Sequence, residues 1–233
     1  MSCAALFCSV LFISCGLETF YKIKPPDNAV PQNAADGATS SVTNPVFTTE
    51  TRKYEFSSEN NGNFIAPGTE VYYRIYNSVE KLQQDARSIN AVNTDIGGSG
   101  FVRMQSLGYK KLRVQSGRKN QDLLIEGAHR VIIRLTDDGF GFGVFYDGAG
   151  APQFSPVLRD GDRQFYFKTD STTLKPPETG NADVDSAEDR GALRGRYWYV
   201  NAYAVSVGLV STTWTRSESK LLPLGFLALE KGS

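Results

Sequence analysis

From Pro45 onward the hydrophobic and polar positions alternate in short runs, the period of half-buried strands. Tyr54 and Phe56 mark the first run, in "VFTTETRKYEFSS". A turn region, "NGNFIAPGTE", follows, with Pro67-Gly68 as its strongest breaker. In "EVYYRIYNS", Val71, Tyr73 and Ile75 point one way and Tyr72, Arg74 and Tyr76 the other. The period then changes. Val79, Leu82, Ala86 and Ile89 recur at helical spacing, after Asn77 as the cap and Glu80 as its capping-box partner. "GGSG" (Gly97 to Gly100) closes that unit as a loop, and Phe101 to Tyr146 returns to strands, among them "RVIIRL" and "FGFGVFY". "RQFYFKT" is a further strand. Asp170 to Arg194 lose all period and read as an exposed loop. A last long strand, "RYWYVNAYAVSVGLV", turns at Gly208 into one or two closing strands. About eight to ten strands with one inserted helix predict a mainly β domain, a sandwich or barrel.

Two stretches before Pro45 behave differently. Ala4 to Ile13 are almost wholly apolar, and no charged side chain occurs from Met1 to Cys15. The run is too short for a membrane span, which needs about 20 apolar residues, and it has the length of a secretory h-region. Leu11 to Gly16, with Ser14 and Gly16 flanking Cys15, resembles the lipobox of bacterial lipoproteins, in the looser form of spirochaete-type sequences. The resemblance implies a signal peptide over 1–14, acylation of Cys15, and a lipid-anchored place in the cell envelope. A buried core element is the competing reading of the leader. From Glu18 to Asn44 the text is rich in Pro, Asn, Ala, Ser and Thr, which predicts that 15–44 form a flexible tether and 45–233 the folded domain. Cys3, Cys8 and Cys15 are the only cysteines, so the domain has none for a disulfide or a zinc site.

"EVYYRIYNS" and "RYWYVNAYAVSVGLVSTTW" resemble the C strand and the F–G hairpin of fibronectin type III and immunoglobulin-like domains. That resemblance implies an immunoglobulin-like β-sandwich with insertions, in which Tyr197 or Tyr199 hydrogen-bonds back across a corner. It covers about a quarter of the folded chain.

Composition narrows the chemistry. The 25 basic and 25 acidic residues balance, so no nucleic-acid footprint is evident. The densest basic run, "YKKLRVQSGRKN", reads as the solvated face of a strand and turn. His129 is the only histidine, and no Gly-x-Ser-x-Gly elbow accompanies it, which argues against a catalytic triad. Asp183, Asp185 and Glu188 have some of the spacing of a calcium loop, but lack its glycine and closing glutamate, with Arg190, Arg194 and Arg196 at hand to neutralise them. "DDGFGFG" lacks the following helix that a phosphate loop needs, so its glycines are expected to make room for a neighbour. Tyr72, Tyr76, Trp198 and Trp214 are the candidate binding aromatics, should any lie outside the core. The expected function is non-enzymatic binding, adhesion or a structural role in the envelope, with envelope proteins or glycans as partners and no cofactor. A ligand carrier with an aromatic-lined pocket is the alternative, and a glycan hydrolase using two inward carboxylates the third reading.

Overall fold

The computed structural model describes residues 22–31, 33, 52–94, 98–136, 141–168, 171–188, 190 and 195–231. The chain forms β1 (Lys53–Ser57), β2 (Ile65–Tyr76), α1 (Val79–Asn90), α2 (Ser99–Ser106), β3 (Lys110–Lys111), β4 (Arg113–Ser116) and β5 (Lys119–Asp122). It continues with β6 (Arg130–Arg134), β7 (Gly143–Tyr146), β8 (Val157–Arg159), β9 (Arg163–Gln164), β10 (Tyr197–Leu209), β11 (Arg216–Glu218) and β12 (Leu222–Glu230). The domain is mainly β, as the alternation predicts, in three antiparallel sheets: β11-β10-β2-β3 with β12 beside the first part of β10, β1-β6-β7, and β5-β4-β8-β9.

β2 and β10 are the spine. They run side by side from Tyr76 opposite Tyr199 to Ile65 opposite Leu209. Their even and odd positions face two separate cores. Val71, Tyr73 and Ile75, with Trp198, Val200 and Ala202, pack against strand residues such as Phe56, Val131, Val114 and Val157. Tyr72, Tyr76, Tyr199, Tyr203 and Val205 pack against Leu82, Ala86, Ile89, Phe101 and Met104 of the helices. The central sheet is therefore covered on both faces, and β10 is buried along nearly its whole length. Leu82 and Ile89 are fully buried in this interface, and each stabilises the docked helix by roughly 1.5–3 kcal/mol.

Several expectations need correction. Ser78, not Asn77, caps α1, its hydroxyl accepting from Lys81 N at 3.3 Å. The stretch from Ser99 to Ser106 is a second helix rather than loop and strand. Gly98, at φ 82°, opens it in a conformation that suits glycine, and Phe101 and Met104 are buried three residues apart. The region expected as a tether docks through residues 22–31 and 33. Ile23 is buried, Asp27 bridges Ser57, and Val30 N donates to Glu55 O at 2.9 Å. β1 is an edge strand with unpaired backbone groups, and this segment satisfies part of that edge. Asn33 then reaches β12, where Phe226 N donates to its carbonyl. Residues before Pro45 thus already make contacts with the folded domain. The presumed exposed loop also contributes structure, because Val184 pairs with Ile75 and extends the β2 edge beyond β3. "RQFYFKT" pairs as a strand only at Arg163 and Gln164.

Candidate functional site

Three of the four candidate aromatics are core residues. Tyr72 is only 5% exposed. Its hydroxyl donates to Glu70 Oε2 at 2.8 Å, and its ring meets Phe101 edge-on at 5.3 Å. Tyr76 is buried beneath α1, its hydroxyl 3.1 Å from Asp85 Oδ2 and 3.2 Å from the Tyr109 hydroxyl. Trp198 is 8% exposed, with Lys231 Nζ 4.3 Å above its ring. Only Trp214 stands in solvent, 67% exposed at the tip of the β10–β11 hairpin. A continuous patch of all four is thereby excluded, because both faces of the central sheet are covered.

The calcium candidates are turned to other partners. Asp183 accepts from the Tyr73 hydroxyl at 2.7 Å and from Arg159 Nε and Nη2 at 2.9 and 3.0 Å. Asp185 accepts from Arg74 Nη2 at 2.7 Å and from Ala187 N at 2.9 Å, while Glu188 lies exposed. Among the described residues the neutralising cations are Arg159 and Arg74, with Arg163 3.6 Å from Asp183, while Arg194 lies outside the described residues. No cluster of three His, Cys, Asp or Glu side chains suited to a metal occurs among the described residues. Cys15 lies outside the described residues.

His129 is held by its surroundings. Nδ1 lies 2.7 Å from Asp147 Oδ2, and the ring stacks on Tyr146 at 4.6 Å. The His129 contact and the Arg130 amide hold the Asp147 carboxyl below its ordinary value. Ser58 hydrogen-bonds the backbone of His129, not its ring. In "DDGFGFG", a Cβ on Gly143 would lie 2.5 Å from the Phe154 carbonyl oxygen, so that glycine makes room for backbone. Two residues of the basic run are held in ion pairs, Lys111 with Glu70 at 2.8 Å and Arg113 with Asp122 at 2.8 Å and Asp162 at 2.7 Å, while Arg118 and Lys119 lie exposed at the turn.

Glu70 organises a second ionic centre. Burial pushes its carboxyl up, but hydrogen bonds from Arg216, Lys111 and Tyr72 outweigh that, and the group ends below its usual range. Tyr72 is raised in turn, by burial first and by the Glu70 charge second. Tyr73 and Tyr76 are also raised, chiefly by burial. These hydroxyls stay protonated and serve as donors within the fold.

Open clefts lie among the described residues, and two of them stand out. The larger, about 620 Å³, lies where the ends of β6, β9 and β12 meet, within the size range of small-molecule sites. Leu135, Val157, Phe165, Phe167 and Leu229 are buried side chains that form its floor. Phe142 and Tyr166 stand at its walls, and Arg52, Lys168, Gln164 and Glu230 at its rim. The smaller, about 470 Å³, is bounded by Tyr146, Phe154, Gln121, Gln153, Asp122 and Glu126, with Leu124. Burial, and Glu126 second, pushes the Tyr146 hydroxyl up to about 12. Asp122 is committed there to Arg113 and Lys111.

No known relative helps to read these clefts. The chain matches no protein-family model, no curated protein and no solved structure. An apolar floor with Arg52 and Lys168 at its rim suits an amphipathic molecule with an acidic head. Glycoside hydrolysis needs two carboxyl groups across the site, and among the described residues the larger cleft presents Glu230 alone. The cleft was invisible to sequence reasoning as a site, although the alternation in "RQFYFKT" does place Phe165 and Phe167 on one side.

Proposed function

We propose that this is a lipid-anchored cell-envelope protein that binds an amphipathic, acidic small molecule in the larger cleft, without chemistry on it. The observation that carries the reading is the combination of a buried apolar floor with a rim bearing Arg52, Lys168 and, among the described residues, a single carboxylate, Glu230. The pocket is open rather than the closed interior of a barrel, so ligand exchange requires no opening of the core. The export half of the proposal rests on the apolar leader and Cys15. As scaffold, β2, β10 and β12 lie adjacent in one sheet, the neighbour order of the C, F and G strands of an immunoglobulin-like domain. That order supports an elaborated domain of this type.

Titration with anilinonaphthalene sulfonate, an apolar anion, tests the binding half. Saturable one-to-one binding is expected, weakened about tenfold by Lys168→Glu, a loss of roughly 1.4 kcal/mol. Absence of saturable binding, or indifference to both Lys168→Glu and Tyr166→Ala, refutes it. Radiolabelled palmitate tests the anchor: label enters the wild type and not Cys15→Ala, and an unlabelled wild type ends that half.

A further inference from the structure

We infer that the end of the domain carrying Lys22, Lys24 and Trp214 is seated against the lipid bilayer, with the Trp214 indole in the headgroup layer. The inference rests on acylation of Cys15 and adds an orientation to it.

Chain length sets the first constraint. Six residues, Gly16 to Tyr21, separate Lys22 from Cys15. Fully extended, that connection reaches about 25 Å at roughly 3.3–3.6 Å per residue. β10 runs unbroken from Tyr197 to Leu209, and at about 3.3 Å per residue it is roughly 40 Å long. The tether is shorter than the spine. The end from which Lys22 emerges must stay near the membrane, and the far end of β10 cannot take its place.

Contacts then show which end that is. Lys24 N donates to Asn61 Oδ1 at 2.8 Å, and Asn61 Nδ2 donates back to Lys24 O at 3.2 Å. Phe64 N donates to Asn61 O at 2.9 Å, and Phe64 lies over Gly208, where a Cβ would come within 2.7 Å of the Phe64 Cβ. Ile65 pairs with Leu209, and the hairpin tip follows immediately. Anchor exit and tip therefore share one end of the molecule.

The tip is ordered so as to present the indole. Trp214 N donates to Val210 O at 2.8 Å, Val210 N donates to Thr215 O at 2.9 Å, and the Thr213 and Thr215 hydroxyls lie 2.6 Å apart. Trp214 has φ 54°, an unusual backbone for a bulky residue. A single exposed apolar side chain is ordinary on a protein surface. Here it is a tryptophan, the side chain whose apolar body and polar N–H suit the membrane interface. It stands at the end that the anchor holds down, and Lys22 and Lys24 are exposed at the same end. The larger cleft, beside Leu229 and Glu230 at the Tyr197 end of β10, then lies at the end remote from the bilayer.

The two tryptophans allow a direct test. The full chain is produced in a lipoprotein-processing bacterium with radiolabelled palmitate and reconstituted into phosphatidylcholine–phosphatidylglycerol vesicles containing brominated lipid. Quenching of tryptophan emission is expected in the wild type and is lost in Trp214→Phe, whose only tryptophan, Trp198, sits at the far end. Labelled protein without quenching, or quenching that persists in Trp214→Phe, overturns the orientation and leaves the anchor standing. Unlabelled protein overturns the anchor and the orientation with it. Thermal unfolding of Trp214→Phe at the wild-type temperature excludes misfolding as the cause of lost quenching.

Discussion

Replacing Asp183 by Leu is the substitution to which the structure assigns the largest single cost. Asp183 and Arg159 are both fully buried, with side-chain exposures of 0%. Removing the carboxylate takes three hydrogen bonds from their donors and leaves a guanidinium inside the protein. Asn181 Oδ1, 3.1 Å from Arg159 Nη2, is then its remaining acceptor, while Arg159 Nη1 has no partner even in the intact protein. Arg163, 3.6 Å from Asp183, adds a like charge to the same place. Breaking one side of a buried pair costs about 3–5 kcal/mol. In a chain of this size 1 kcal/mol corresponds to about 2–4 °C, so the melting temperature is expected to fall on the order of 10 °C. The double variant Arg159→Met/Asp183→Leu removes both charges. Its main residual cost is the Tyr73 hydroxyl left without an acceptor, about 1–3 kcal/mol. It is therefore expected to be more stable than the single Asp183 variant by about 2 kcal/mol, and the coupling energy exceeds that gap by the cost of the Arg159 single. Thermal and urea unfolding of both singles and the double, followed by circular dichroism, provide the cycle. A cost below about 1 kcal/mol for Asp183→Leu, or a double variant as unstable as the sum of its singles, refutes the reasoning.

Two further perturbations probe other parts of the fold. The Glu70 carboxyl is held below its ordinary value of 4.5 in the folded state, so the unfolded chain binds the more protons as the medium is acidified. That stability is present above about pH 4.5 and is lost as pH falls through the folded-state value. Glu70→Gln should flatten part of the decline in melting temperature between about pH 5 and 3, and an unchanged slope contradicts the assignment. Gly225 has φ 77°, and an added Cβ would collide with the Asn33 carbonyl oxygen and touch Pro31. Gly225→Ala should lift the N-terminal segment and speed proteolysis between residues 22 and 51. Gly148→Ala, at φ 75° with open space around it, should not.

What the chain discloses before folding follows from how local each signal is. Alternation in β2 and the stripe Val79, Leu82, Ala86 and Ile89 are properties of single segments, and both elements are where they were expected. α2 escaped because only Phe101 and Met104 mark its buried side, and a glycine run precedes it. The docked segment over 22–33 escaped for a similar reason: Ile23 and Pro26 are scattered anchors without a period, and the partner edge is supplied by β1, which is a tertiary fact. Asp183 and Asp185 look like solvent-facing residues in any reading by residue type. They are buried because Arg159 and Arg74, contributed by other elements, neutralise them. The aromatic candidates failed through arithmetic of faces. A two-layer sandwich leaves its outer faces to water, and only the presence of both helices puts Tyr72 and Tyr76 indoors. Trp214 is exposed because it belongs to a turn rather than to either face.

The same double coverage explains why so polar a pair of strands can serve as the spine. Burial on both sides leaves Tyr72, Tyr73, Tyr76, Asn201 and Glu70 of β2 and β10 little solvent, so their hydrogen bonds are made within the protein, from the sheet itself or from the layers that cover it. Tyr72 reaches Glu70, Tyr73 reaches Asp183, Tyr76 reaches Asp85, and Asn201 Nδ2 donates to the Tyr109 hydroxyl at 2.7 Å. The bonds of Tyr73 and Asn201 tie the central sheet to segments distant in sequence and that of Tyr76 ties it to α1, and they are directional where apolar contact is not. They fix how the helices, and the segment around Asp183, sit on the sheet. A spine locked in this way holds the cleft beside Leu229 at a set distance from the hairpin bearing Trp214. In the proposed orientation that distance becomes the height of the binding site above the bilayer.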